Sequence, residues 1–344
     1  NSVDAGYMIA PGVGYIKVSN FGATTVEEFE GKLQVLREQG AQSLILDLQG
    51  NGGGFLMAAV GIANEFLGRE QLVVYTEGRR SPRSGYVADG NGAFKTGKLV
   101  VLIDEFSASA SEIVSGAVQD WDRGTIVGRR SFGKGLVQRP LELHDGSMIR
   151  LTVAKYYTPA GRCIQKPYGK DVDYGEDIME RLNHGELTNR DSIHFPDSLK
   201  FHTMVEKRVV YGGGGIMPDI FVPLDTNRTN QYYRNLTANN VVLRTAMQYI
   251  ERNRRALQRQ YRDFDSFNRE FEVGQELLDQ LLSKASDAKV EYNHDEYVHC
   301  LPIYRTQLKA TIARNLWGMN EYYQVIQTLD ETVQRAVELL KTGQ

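Results

Sequence analysis

Very little in this chain of 344 residues commits it to a metal, a membrane or a nucleic acid. It has two cysteines, Cys163 and Cys300, without the paired spacing of a zinc site, and spacing alone does not decide whether they pair. No His-Glu-x-x-His and no Gly-x-Ser-x-Gly elbow occurs, which removes two familiar hydrolase designs. The six histidines (His144, His184, His194, His202, His294 and His299) lie outside the glycine-rich turns, so histidine-based catalysis has little footing. No apolar run reaches the roughly 20 residues that a membrane-spanning helix needs. A formal net charge of −3 gives no electrostatic case for nucleic acid or an anionic membrane. The start, Asn1-Ser2-Val3-Asp4, has neither a methionine nor a signal-like apolar stretch and reads as a boundary rather than a natural beginning. The sequons at Asn227 and Asn235 matter only in a eukaryotic secretory setting.

What is present is the composition of a folded protein, 41% hydrophobic and 24% charged, long enough for two domains. Strand-like and helix-like patterns alternate over the first 160 or so residues. Gly14–Val18 reads as a strand, and Thr25-Val26-Glu27-Glu28 as a capping box opening a helix that Gly40 ends, with Val26, Phe29, Leu33 and Leu36 on one face. Ser43–Leu48 and Leu99–Ile103 are apolar runs typical of strands buried on both faces. A helix is predicted from Phe55 to about Leu67, another beyond the serine run, and β-rich segments near Leu136–Leu143 and Met148–Tyr157. This alternation predicts an α/β core with a mostly parallel sheet over residues 1–165. A polar, irregular stretch over 166–205 reads as a surface insertion, and residues 206–226, with the short strand Ile220-Phe221-Val222, as a return to the core. From about Asn227 to residue 344, apolar positions such as Leu243, Met247 and Ile250, and Ile326, Leu329, Val333, Ala336 and Leu340, predict a helical C-terminal domain with Arg, Gln and Tyr on its polar faces.

The chemistry concentrates in two short runs. Ser107-Ala108-Ser109-Ala110-Ser111-Glu112 follows a buried strand and opens a helix, whose N-terminus offers unpaired amides and a positive dipole end. A nucleophile there is exposed and close to donors for an oxyanion. The plain alternative is that Ser109 and Glu112 form a capping box and nothing more. Lys134, between Gly133 and Gly135 and beside Phe132, is predicted to be drawn into an apolar, backbone-lined position. Burial lowers the pKa of a lysine, and a neutral amine can take a serine proton without histidine; the plain alternative is a solvated loop lysine. Gly128–Gly135 also matches a phosphate-binding loop until its last position, where Gly135 replaces the Ser or Thr that would hold Mg²⁺, and strand-like residues follow where that motif needs a helix. The turn Gly50-Asn51-Gly52-Gly53-Gly54 also follows a buried strand and offers backbone amides. It lacks the dinucleotide pattern, since Phe55 occupies the third required glycine position.

Together these runs resemble the carboxyl-terminal processing (tail-specific) serine proteases. The resemblance covers Gly14–Gln165, in the blocks Asp47–Gly54, Ser107–Gln119 and Gly128–Gln138 with Tyr157–Gln165 behind them, and returns at Gly212–Val222. In that family the lysine follows the serine by 25 positions and a glutamine follows the lysine by four, a spacing met here by Ser109, Lys134 and Gln138. The resemblance thereby selects Ser109 over Ser107 and Ser111, makes Lys134 its base, and makes Gln138 the residue that orients the amine. It places the oxyanion donors at the amide of Ala110 and at one from the glycine turn, Gly53. Gln49 and Gly52 stand where the family has arginine and proline, which implies a looser turn, and Phe106 replaces a small residue and narrows the cleft. The PDZ domain that precedes the core in the family has no counterpart in this sequence.

The resemblance implies a ClpP/crotonase-like spiral core and a serine endopeptidase that cuts unstructured or C-terminal segments of proteins through an acyl-enzyme. It implies no metal or organic cofactor, protein or peptide substrates, and an exported setting such as a bacterial periplasm or cell envelope. Two other readings stay open: a non-catalytic peptide-holding scaffold of the same fold, and an acyl hydrolase of small esters. The helical C-terminal domain is a candidate for self-association, gating of the cleft or partner binding.

Overall fold

The computed structural model describes residues 1–167 and 175–342. It divides into two compact units, Asn1–Leu224 together with the end of the chain from Arg335, and Asp225–Gln334. The strands of the first unit are β1 Val3–Ala10, β2 Val13–Val18, β3 Ser43–Asp47, β4 Leu72–Gly78, β5 Ser81–Val87, β6 Lys98–Ile103, β7 Thr125–Gly128, β8 Leu136–Glu142, β9 Met148–Tyr157, β10 Lys200–His202, β11 Val209–Tyr211 and β12 Ile220–Phe221. Its helices are α1 Thr25–Glu38, α2 Leu56–Asn64, α3 Ala110–Asp120 and α4 Asp177–Asn183.

A six-stranded sheet runs in the order β1-β2-β3-β6-β7-β12. All its pairings from β2 onward are parallel, and β1 alone folds back antiparallel on β2. The central strands β3 and β6 are apolar almost throughout, as parallel strands covered on both faces must be. Their register pairs Asp47 with Leu102, so the two strands end side by side. The glycine turn after β3 and the serine run after β6 therefore emerge next to each other at the carboxyl edge of the sheet, where open α/β sheets build their sites. Helix α3 is buried at every position. Its small residues permit that depth: a Cβ added at Gly116 would stand 2.9 Å from Thr158 Cγ2.

A second, four-stranded antiparallel sheet has the order β5-β4-β9-β8. The chain passes from β7 in the first sheet to the edge strand β8 in the second through residues 129–135, so Lys134 lies on the crossing between sheets. The outer part of the β8–β9 ribbon stands in solvent, with Leu141, Met148, Ile149 and Leu151 exposed. Strands β1, β4, β5, β7, β10 and β11 have no counterpart in the sequence reading, although β1 alternates in burial along most of its length.

Two local expectations change. Helix α1 begins at Thr25, but Glu28 does not cap it. Glu28 instead accepts from the amides of Ser2 and Val3, at 2.8 and 2.9 Å, and fastens β1 to the helix. Burial would raise its carboxyl, but Thr24, Val3 and Ser2 donating to it bring it down to about 2. The stretch read as a surface insertion contains α4, and its Arg181 is buried among core backbone. Part of the stretch, residues 168–174, lies outside the described residues.

The second unit is helical: α5 Gln231–Ala238, α6 Val241–Gln260, α7 Phe264–Glu270, α8 Gln275–Asp287, α9 His294–Leu316 and α10 Met319–Ile326, followed by α11 Glu331–Thr342, which continues into the end of the chain. Asn230, Asp263 and Asn293 cap α5, α7 and α9 through their side chains. Its core is rich in aromatic rings, among them Tyr232, Phe267, Phe271, Tyr297 and Tyr304. Of the three apolar positions read on α6, Ile250 is buried, whereas Leu243 and Met247 are exposed. The run from Ile326 to Leu340 is broken by a 3₁₀ turn at Gln327–Leu329. Cys163 and Cys300 are both free thiols. No helix is long and apolar enough to cross a membrane among the described residues.

Candidate active site

The three serines of the run separate by what their hydroxyls do. Ser107 is fully buried and donates to the Leu48 carbonyl at 2.8 Å, and Ser111, equally buried, donates to the Asn51 carbonyl at 2.9 Å. Both hydroxyls are spent on tying the serine run to the glycine turn. Ser109 is half-buried, and its hydroxyl donates to no acceptor among the described residues. Its backbone sits at φ 54° and ψ −108°, a region that costs a residue with a Cβ about 1–3 kcal/mol. That turn lifts the side chain out of the α3 spiral at the helix N-terminus. The amide of Ala110, first residue of α3, has no intrahelical acceptor.

The glycine turn is fastened rather than loose. Asp104 accepts from the Gly50 amide, with both carboxylate oxygens at 2.9 Å, while Ala108 N–H donates to Asn51 O at 2.9 Å. The Asn51 side chain donates to Val18 O at 2.8 Å and accepts from the Gly53 amide at 2.9 Å. Gly50 and Gly52 are both exposed, with open space where a Cβ would be. Gly53 lies directly against the serine: an added Cβ would stand 2.7 Å from both Ala108 O and Ser109 Cβ. So Gly53 lies beside Ser109, and its amide is held by Asn51. Burial raises the Asp104 carboxyl, against the pull of the Gly50 amide.

Lys134 departs from expectation in its side chain. Its backbone is fixed, but the side chain is exposed, and so is that of Gln138 two turns of the pleat along the edge strand β8. No hydrogen bond joins the Lys134 amine to the Ser109 hydroxyl or to Gln138. The sequence predicts a buried amine because Phe132 and two glycines flank it. In the structure, however, the neighbourhood of Phe132 is taken by Lys166, whose Nζ stands 3.8 Å from the ring centre.

The residue that joins the two runs is Glu112. Its fully buried carboxylate accepts four hydrogen bonds. Oε1 takes the Ser131 hydroxyl and the Gly133 amide, each at 2.6 Å. Oε2 takes the amides of Ser109 at 2.7 Å and Lys134 at 2.8 Å. Burial pushes this carboxyl above the ordinary range, while Ser131 and the three amides pull the other way. Glu112 does close the capping box with Ser109. That local reading hid its reach to the lysine loop, 22 residues away. Gln165 completes the hold by accepting the Gly135 amide at 2.9 Å. Asn51, Asp104 and Gln165 were not singled out from sequence, and the signal was present only as polar residues inside otherwise apolar or small-residue runs.

Residues 12–174 match the profile of Peptidase family S41. Its relatives are processing proteases: the chain is 47% identical over 154 residues to a carboxyl-terminal-processing protease of Synechocystis sp., covering 45% of this chain and 36% of the relative. It is 36% identical over 154 residues to the carboxy-terminal processing protease CtpB of Bacillus subtilis, covering 45% and 32%. The match thus spans about a third of the length of these relatives. Among solved structures, a photosystem II D1 C-terminal processing protease aligns with a TM-score of 0.47 at 28% identity, over 65% of this chain and 48% of its own. Residues 232–318 match a family of unknown function.

Proposed function

We propose that this chain carries a serine endopeptidase core that cuts unstructured or carboxyl-terminal segments of proteins. Ser109 Oγ attacks the peptide carbonyl carbon while Lys134, its amine neutral, takes the hydroxyl proton. The C–N bond then breaks as the lysine returns that proton to the departing amine, leaving an acyl-enzyme on Ser109. A water, deprotonated by the same amine, releases the acid and restores the serine. Ala110 N–H is the oxyanion donor best supported by its place at the start of α3. Gly53 joins it only when its amide is released by, or shared with, Asn51. Gln138 orients the amine once Lys134 turns inward. The substrates are protein or peptide segments, and we place the enzyme in an exported setting such as a periplasm or cell envelope.

One observation carries this reading: a single buried carboxylate holds both the Ser109 and the Lys134 amides, so nucleophile and base are framed by one group. One observation favours the second reading, a peptide-holding scaffold: the Lys134 side chain is exposed and not bonded to Ser109. The full chain is assayed on an unfolded protein, on a small ester, and with a serine-directed fluorophosphonate. Ser109→Ala and Lys134→Ala are expected to lower peptide cleavage about 10³-fold or more, whereas Ser107→Ala and Ser111→Ala keep labelling at Ser109. Cleavage left unchanged by the first two substitutions sinks the dyad. Binding of unfolded protein with turnover of neither substrate establishes the scaffold, and turnover of the ester alone establishes a small-ester hydrolase.

A further inference from the structure

The loop that carries Lys134 is held from two sides by opposite charges. On one side is the Glu112 carboxylate, which takes the amides of residues 133 and 134. On the other is Arg181 of α4, whose side chain is only 4% exposed. Its Nη2 donates to the Arg130 carbonyl at 2.6 Å and its Nη1 to the Ser131 carbonyl at 3.2 Å. The two carbonyls belong to consecutive residues, and the planar guanidinium fork suits such a pair where an ammonium would not. Arg181 is itself steadied by Glu186, 3.6 Å from its Nε, and by Asp177 at 3.9 Å. Burial, with Arg130 adding to it, brings its guanidinium down to about 10, which leaves it a cation at neutral pH. Glu186 also pairs with Arg130, whose Nη1 donates to Gly214 O at 2.8 Å.

Several other backbone groups of this loop have backbone partners. Arg129 N–H goes to Ile103 O, Ser131 N–H to Ile216 O and Phe132 N–H to Ser107 O, while Gly133 O accepts from Lys166 N–H. The carbonyls of 130 and 131 are the part of the loop that depends on a side chain from α4. That helix lies beyond residues 12–174, the span that matches the peptidase family.

We propose that Arg181 is a positioning residue for Lys134, and that the polar segment after the core is thereby part of the peptidase machinery rather than surface decoration. The inference rests on the peptidase reading above. Arg181 touches no reacting atom; it fixes the backbone from which the Lys134 amine must reach Ser109. A displacement of that backbone by about 1 Å is enough to cost roughly 100-fold in rate.

The test uses the full chain with Arg181→Ala and Arg181→Lys, beside wild type and Lys134→Ala. Arg181→Ala is expected to lower kcat by about 10- to 100-fold with KM within about twofold. Arg181→Lys should fall between, since an ammonium cannot span both carbonyls. Millimolar guanidinium should restore part of the Arg181→Ala rate, whereas urea at the same concentration should not. Hydrogen exchange at the Gly133 and Lys134 amides, compared with amides of β3, gives a readout free of turnover, and should speed up selectively. The proposal is overturned if Arg181→Ala keeps wild-type kcat, if exchange at 133 and 134 is unchanged, or if Arg181→Ala and Arg181→Lys lose activity only in step with global unfolding. Failure of the peptidase reading looks different: Lys134→Ala would then match wild type, while the exchange comparison would still decide the role of Arg181.

Discussion

Replacing Glu112 with glutamine asks whether one buried carboxylate organises the site. The side chain keeps its shape but loses two of its four acceptor directions. If the new NH₂ takes the place of Oε2, it faces the amides of Ser109 and Lys134, and two buried donors are orphaned. If it takes the place of Oε1, it faces the Gly133 amide and the Ser131 hydroxyl. The hydroxyl can turn to accept, but it already accepts the Ile216 amide at 2.6 Å, so its own proton and the Gly133 amide both lose their acceptor. Either orientation strands buried donors, and a single unsatisfied buried amide costs about 1–3 kcal/mol. The bonds to Ser109 and Lys134 also weaken, because a neutral oxygen replaces a charged one. A protonated Glu112 would behave differently, since a carboxylic OH keeps a lone pair for Gly133 and an amide nitrogen does not. The assay is urea unfolding followed by Trp121, which sits at the end of α3 with its indole donating to Leu72 O at 2.8 Å. Trp317→Phe in the background leaves the first unit as the only tryptophan signal. Glu112→Gln should lose about 1–3 kcal/mol there and label more slowly at Ser109. Stability within about 0.5 kcal/mol of wild type, together with unchanged labelling, would refute the idea that this carboxylate holds the two loops.

Two further outcomes are expected. Gly53→Ala should destabilise by about 1–3 kcal/mol and abolish labelling at Ser109, because its Cβ would press on Ala108 O and Ser109 Cβ at 2.7 Å and φ there is +99°; a fully active variant would show that the turn does not sit against the serine. Glu28, with its carboxyl held down at about 2 rather than the ordinary 4.5, contributes stability that is present above pH 4.5 and lost as pH falls towards 2. Acid unfolding of the first unit should therefore be shallower in Glu28→Gln over that window, and parallel curves would remove Glu28 as the fastener of β1.

The parts of the fold that could be read were those whose signal is local. β3 and β6 announce themselves as apolar runs because parallel strands are covered on both faces, and the turns after them come together because those strands end side by side. Ser109 could be singled out only through the spacing to Lys134 and Gln138. In the structure, its two neighbours have their hydroxyls committed to backbone. What stayed hidden depends on pairs distant in sequence. Glu112 looked like a cap because its local bond to Ser109 is real, and nothing local announces its bonds to Ser131, Gly133 and Lys134. Arg181 looked like surface because its segment is polar, yet a polar segment is what two core carbonyls require when their partner must be a side chain. Leu243 and Met247 mislead in the opposite sense: helical spacing predicts a face, not which face is covered.

The exposed Lys134 side chain follows from the same electrostatics. The loop backbone around it is satisfied by Glu112, Gln165 and Lys166 N–H, so the loop is rigid before any substrate arrives. An ammonium carried inward with no anion beside it would lose hydration worth several kcal/mol. The carboxylate that holds the Lys134 amide, Glu112, has its four acceptor directions filled by the Ser109, Gly133 and Lys134 amides and the Ser131 hydroxyl, so it offers no compensation. The amine therefore stays in water until something excludes water from above Ser109. An extended polypeptide laid over the serine would do so, and it would bring the carbonyl that the reaction needs. On the proposed reading, the frame is built in advance and the Lys134 amine is recruited last. A chain so arranged should label slowly with small serine-directed reagents, and faster when an unreactive peptide occupies the neighbouring surface. Equal rates with and without such a peptide would mean that Lys134 reaches Ser109 unaided.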